Sequence, residues 1–196
     1  VPAFPFNHLT LSGTGTKTGS GTVTVGGNLA NSAGVVFSGA STLALNGPAH
    51  TNAGTLSAAT LSIGPAATLT NSGTATATTA LSGAGALTQA ASGILNLGGT
   101  AGIATLNAAA AGNTVNYTGA AQAVAPTTYH HLLLSGSGIP VLTGVSAING
   151  DFTLAGTVAP VAANGMAVGG NWNIGSGTSF GAGTFAHSVK GNWSNA

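Results

Sequence analysis

The chain has 196 residues, of which 43% are hydrophobic and only 2% are charged, namely Lys17, Lys190 and Asp151. Ordinary soluble domains hold about 25% charged residues, and disordered chains are charged and poor in apolar residues, so this composition excludes disorder. A net charge of +1 provides no electrostatic footprint for nucleic acid.

The 33 glycines follow no three-residue period, which excludes collagen. Gly, Ser, Thr and Asn interrupt every apolar stretch before it reaches the length of a membrane helix, so no membrane-spanning helical segment is expected. There is no cysteine, hence neither a disulfide nor a thiolate metal site.

The chain opens with "VPAFPF", without a basic segment followed by an apolar one, and reads as a mature N-terminus from which a signal peptide has been removed. Residues 1–5 are expected to form an arm or a cap on a single domain spanning 1–196. "FNHLTLSGTG" follows at 6–15 and returns as "YHHLLLSGSG" at 129–138. "GTGTKTGSG" invites a phosphate-loop reading but lacks Gly-Lys-Ser/Thr, and a turn-rich strand pair is the better expectation.

From "NSAG" onward a period emerges. Gly34, Gly54, Gly73, Gly93 and Gly112 are spaced by 19 or 20 residues, with Leu-centred pieces such as "TLALNG", "TLSIGP" and "ALSGAG" between them. Small polar and aliphatic residues alternate over four to six positions, which marks short strands rather than helices. Thr22, Thr42, Thr60 and Thr79 recur at similar steps and are expected to form one ladder. In the second half, "NGDF", "GGNW" and "KGNW" repeat the setting of "GGNL" at 26–29. Leu29, Phe152, Trp172 and Trp193 are therefore expected at equivalent inward-pointing places, with Phe152, Trp172 and Trp193 as the core aromatics.

A 20-residue repeat of short strands predicts an all-β parallel β-solenoid of roughly ten coils of about 19–20 residues. At ~4.8 Å per strand step the chain would rise roughly 45 to 50 Å along the axis. Stacking also accounts for the missing charge. Repeated ionic groups ~5 Å apart would cost on the order of 1 kcal/mol per like pair even in water, whereas Thr, Ser and Asn form hydrogen-bonded ladders.

"TVNYTGAAQAVAPTTYHHLLLSGSG" at 114–138 resembles a recurring unit of bacterial secreted and surface proteins, and "FNHLTLSGTGTKT" with "GTVTVGGNL" is similar to its continuation. "TLTNSGT" at 68–74 resembles repeats of filamentous-haemagglutinin-like proteins and autotransporter passengers. The resemblance implies export to the extracellular space or cell surface, a right-handed β-helix and a structural or adhesive role. It brings no catalytic residues.

Catalysis is not expected. Asp151 is the one acid, and a single carboxylate cannot form the pair that glycoside cleavage requires. The five histidines, His8, His50, His130, His131 and His187, lack accompanying acids or cysteines, so hydrogen bonding at corners or on the surface is expected of them rather than metal binding. No cofactor is expected.

The sequence shows no charged or amphipathic capping helix at either end, and uncapped solenoids expose strand edges. The expected function is a structural subunit of an extracellular filament that assembles with copies of itself head to tail. The interface is expected to comprise Val1, Pro2, Phe4, Phe6, Trp193 and Asn195. The alternatives are an adhesin domain binding polysaccharide or another surface, told apart by a lateral Trp or Tyr stripe, and an ice-binding solenoid.

Overall fold

The computed structural model describes residues 5–196, and the proposed arm residues Val1, Pro2 and Phe4 lie outside them. The described residues contain strands and turns and no helix. Every pairing between strands is parallel. The fold is a β-solenoid of about ten turns.

Its strands stack on three faces of a prism. Face I begins at Leu9–Leu11 and climbs through Leu29–Asn31, Ala49–Asn52 and Thr68–Asn71 to residues 86–89 and 105–107. It continues through single bridges at Tyr129 to Ala147–Ile148, Ala167–Val168 and Ser188–Val189. Face II runs the length of the described chain, from Gly15–Thr18 through Ile94–Leu97, Thr114–Tyr117, His131–Leu134, Phe152–Leu154 and Trp172–Ile174 to Trp193–Asn195. Face III carries Pro5–Phe6, Thr22–Val25 and the later thirds of the long strands Val35–Leu45 and Thr55–Ile63.

Alternation puts every second side chain inside. On face II the inward file reads Lys17, Phe37, Leu56, Ala75, Leu95, Val115, Leu132, Phe152, Trp172 and Trp193. From Phe37 to Trp172 its members are buried. The core is thus a column one side chain deep from each face, and each buried aliphatic side chain contributes about 1.5–3 kcal/mol.

One inward file is polar. Below Asn31 on face I stands Leu11, and above it the file continues with Asn52, Asn71 and Gln89, all buried. Each amide donates upward to the next side-chain oxygen, from Asn31 to Asn52 at 2.8 Å, from Asn52 to Asn71 at 2.6 Å, and from Asn71 to Gln89 at 2.6 Å. The same nitrogens donate to the carbonyls of Thr55, Thr74 and Ile94, so this file ties faces I and II together at their shared corner. Asn31 Oδ1, at the foot of the file over Leu11, has no partner.

A second buried polar cluster closes the coil that steps only from Thr114 to His131. The Tyr117 and Tyr129 hydroxyls meet at 3.0 Å, Ala125 N–H donates to Tyr117, and Tyr129 donates to the Ala125 carbonyl. Burial raises the pKa of both phenols.

The expected threonine ladder is present in part. Thr22, Thr42 and Thr60 are in register, but the next positions are Ala80 and Thr100. Thr79 stands one residue outside, because the corner before it holds two residues where the coil below has one.

Replacing Asn71 by Leu in mid-ladder strands the Asn52 amide and the Ile94 carbonyl, and should destabilise the chain by about 2–4 kcal/mol. Asn31→Leu, at the foot of the file, should cost distinctly less. Urea unfolding followed by circular dichroism checks both, and equal losses would contradict the ladder.

Candidate assembly surface

The two decapeptides share a local shape rather than a place on the prism. Phe6 lies on face III and Leu9 on face I, whereas Tyr129 lies on face I and Leu132 on face II. Both copies turn a tight corner, with Asn7 and His8 between the strands in the first and His130 alone between the Tyr129 bridge and His131–Leu134 in the second. "GGN" at 26–28, "NGD" at 149–151, "GGN" at 169–171 and "KGN" at 190–192 do so with three. Leu29 is therefore equivalent to Phe152, Trp172 and Trp193 in following such a corner, but it sits on face I while they sit on face II.

Glycine is required inside these corners by close approach. A Cβ on Gly47 would fall 1.9 Å from the Gly27 carbonyl oxygen, and one on Gly191 would fall 2.6 Å from that of Gly170. At four of these corners the residue just before the inward side chain reaches the next coil, where its side chain accepts the backbone N–H of its counterpart one turn on. His8 Nδ1 accepts from Asn28 at 2.9 Å. His131 Nδ1 accepts from Asp151 at 2.9 Å, Asp151 Oδ1 from Asn171 at 2.7 Å, and Asn171 Oδ1 from Asn192 at 2.9 Å. The last member, Asn192, is exposed.

Beside it the aromatic column ends. Phe152 and Trp172 are fully buried, with ring centroids 5.1 Å apart. Trp193 stacks on Trp172 with ring centroids 5.0 Å apart, yet remains 54% exposed. Trp193 is thus inward-pointing, as the pattern predicts, but is not enclosed. Asn195 takes the inward place above Ile174 and is exposed, and Phe185 in the same coil is also exposed. At the other end, Pro5 already belongs to a strand paired with Thr24, while Phe6 pairs with Val25 and packs against the core.

His8, His50, His131 and His187 work as acceptors between coils, whereas His130 Nδ1 is buried without a partner, and one of the five departs from expectation. His50 is buried in the file between Leu29 and Leu69, not at the surface. Its Nδ1 accepts the Leu29 N–H at 3.0 Å and its Nε2 faces the Gly47 carbonyl at 2.9 Å, an arrangement that suits the neutral ring. Burial lowers its pKa, against a smaller opposing effect of the Gly47 bond. His187 Nδ1 accepts from Met166. His130 is edge-on to His131 at 4.2 Å, and desolvation, aided by His131, lowers its pKa.

The one ion-pair geometry among the described residues is His131 Nδ1 to Asp151 Oδ2 at 3.6 Å, beside an open groove of about 310 Å³ lined by Thr114, Leu133 and Thr153. No three His, Cys, Asp or Glu side chains among the described residues converge as metal ligands. No helix among them is long and apolar enough to cross a membrane. Trp172 Nε1 is buried without a partner. The cross-coil acceptors escaped the sequence reading, which expected ladders of Asn in general but not their burial in one inward file, although "NSAG", "TNAG" and "TNSG" carry three of the file's amides in their repeated setting.

No protein-family model, curated protein or solved structure matches the chain.

His50 sets a pH dependence. Its folded pKa lies below the unfolded value of about 6.5, so the native state binds the proton less well, and the contribution is intact above that pH and lost as pH falls beneath it. Thermal unfolding at pH 7.5 and pH 5 should show a lower midpoint in acid, and His50→Asn should flatten the difference. An unchanged slope in the variant would remove His50 from the account.

Proposed function

We propose that this chain is a structural subunit of an extracellular filament, in which copies stack head to tail as further turns of one solenoid. The observation that carries the reading is that one stacking chemistry repeats from coil to coil up to the last one described. There the Trp193 indole continues the Phe152–Trp172 column, and Asn192 ends a ladder of acceptors, each of which takes an N–H from the turn above. A strand edge of this kind is a template for another strand. A contact between unlike ends propagates without closing. The near absence of charge favours association in the same direction.

An adhesin reading would draw support from a lateral aromatic stripe. Tyr117, Tyr129 and Trp172 are instead buried, and the exposed Trp193 belongs to the last coil. The solenoid surface thus favours the filament over sugar stacking. Secretion to the cell exterior is part of this proposal and rests on the resemblance of the 114–138 unit.

Negative-stain microscopy of the purified chain at rising concentration should show unbranched fibres one solenoid wide. Trp193→Asp, which sets a charge into the stacking file, should abolish them while leaving the circular dichroism of the subunit unchanged. A parent chain that remains monomeric at high concentration, or a variant that polymerises as readily as the parent, would refute the proposal.

A further inference from the structure

Part-way up the solenoid the wall of face III opens. One of its inward files runs through Val23, Leu43, Leu61 and Leu81, all sealed from solvent, and reaches Ala101, which is only half-buried. Ile103, which stands above Gly83, is half-buried as well. The cause is an unfilled edge. Thr100–Asn107 pairs with residues 80–88 below it, and among the described residues no strand pairs with it from above. The chain overhead, residues 120–127, departs from the ladder: Ala121 has a positive φ of 47°, and Pro126 has no N–H to give.

The register says which backbone groups are left over. Thr42 N–H donates down to the Gly21 carbonyl, and Thr42 stands in file with Thr60, Ala80 and Thr100. Successive residues of a strand in such a sheet bond to opposite neighbours, so Thr100 and Gly102 bond downward while Ala101 and Ile103 turn their N–H and C=O up into the gap. Two side chains bridge it. Gln122 Nε2 donates to the Leu97 and Gly99 carbonyls, and Thr127 Oγ1 donates to that of Leu106 at 2.9 Å, so neither serves Ala101 or Ile103. The backbone overhead is bonded upward instead, from Ala121 to Ser137 and from Val124 to Val141. Between the two coils lie grooves of about 390 and 350 Å³ that meet at Ala101.

We infer that this gap is a docking site for an extended stretch of another protein, uncharged and with small aliphatic side chains at alternate positions, which adds as a strand to the upper edge of residues 101–105. The backbone selects a polypeptide. Free N–H and C=O groups at strand spacing are matched by another strand, whereas an acyl chain would bury them unpaired at a cost. No charged side chain and no aromatic ring lines either groove, so an ionic ligand or a stacked sugar finds no partner there. The first groove is walled mostly by glycine and alanine, which leaves room for a backbone. Ala101 and Ile103, two residues apart on the inward side, ask for aliphatic contacts at the same period. Widening the gap breaks the Gln122 and Thr127 side-chain bonds and no rung of the ladder. The site lies on a side wall and does not depend on whether copies stack.

Hydrogen exchange followed by NMR tests both the gap and its occupant. In the free chain the amides of Ala101 and Ile103 should exchange far faster than those of Leu61 and Leu81, which point up into a filled ladder. The probe is a capped peptide Gly-Thr-Val-Thr-Val-Gly-Gly, the sequence of residues 21–27. Peptide at about ten times its Kd should slow exchange at Ala101 and Ile103 about tenfold and leave Leu61 and Leu81 unmoved. The same peptide N-methylated throughout should do nothing. Ala101→Pro removes an N–H that has no partner in the subunit, so it should keep the circular dichroism and thermal midpoint of the parent yet abolish the peptide's effect at Ile103.

The exchange measurements on the parent chain decide the matter even where the proline variant does not fold. Amides of Ala101 and Ile103 as protected in the free chain as that of Leu61 would mean that the edge is already filled, and the proposal would fall. It would fall equally if the peptide had no effect at millimolar concentration. Protection produced by dodecanoate or maltoheptaose but not by the peptide would overturn it in favour of an acyl chain or a glycan.

Discussion

Everything in this molecule follows from one constraint, the hydrogen bonding of each turn of backbone to the turn above it at ~4.8 Å. That spacing forces like positions to lie over like positions. A side chain chosen for one coil must tolerate itself, or a close relative, directly overhead. Charges fail this requirement and are almost absent. Amides, hydroxyls, aliphatics and aromatic rings meet it, each with a different stacking interaction, and the interior is sorted into files accordingly.

The sorting divides the column. In the lower half the corner between faces I and II is pinned by buried amides whose donors alternate between one another and the neighbouring face's carbonyls. Buried amides are stabilising only when fully paired, so such a file tolerates no slip in register. In the upper half the same inward places are taken by Ala108, Tyr129, Ile148 and Val168, and the amide file gives way to apolar packing. There the acceptors move to the outside of the corner, and rings from Phe152 to Trp193 fill the space inside. Tyr117 and Tyr129, clasped around Ala125, occupy the coil where one arrangement gives way to the other.

Much of this was legible in the residues. The glycine spacing set the coil length, and alternation set which side chains point inward. The identity of the face was not legible. "FNHL" and "YHHL" encode a corner, and nothing local in those residues states which of three corners it is; that depends on the lengths of all the bends that intervene. Thr79 shows the same limit on a smaller scale, since one extra corner residue moved it out of a ladder that spacing alone placed it in. His50 was expected to hydrogen-bond at a corner or on the surface; it does hydrogen-bond, but its burial was not legible, because it depends on Leu29 and Leu69, residues about twenty positions away on either side.

The two indoles differ in one respect that an observer can exploit. Trp172 is sealed from solvent and Trp193 is half open to it, with ring centroids 5.0 Å apart. In the isolated subunit one fluorophore senses an apolar medium and the other senses water, and anything that covers the last turn withdraws water from the second alone. The protein thus carries an intrinsic optical gauge of whatever covers Trp193, without the addition of a dye.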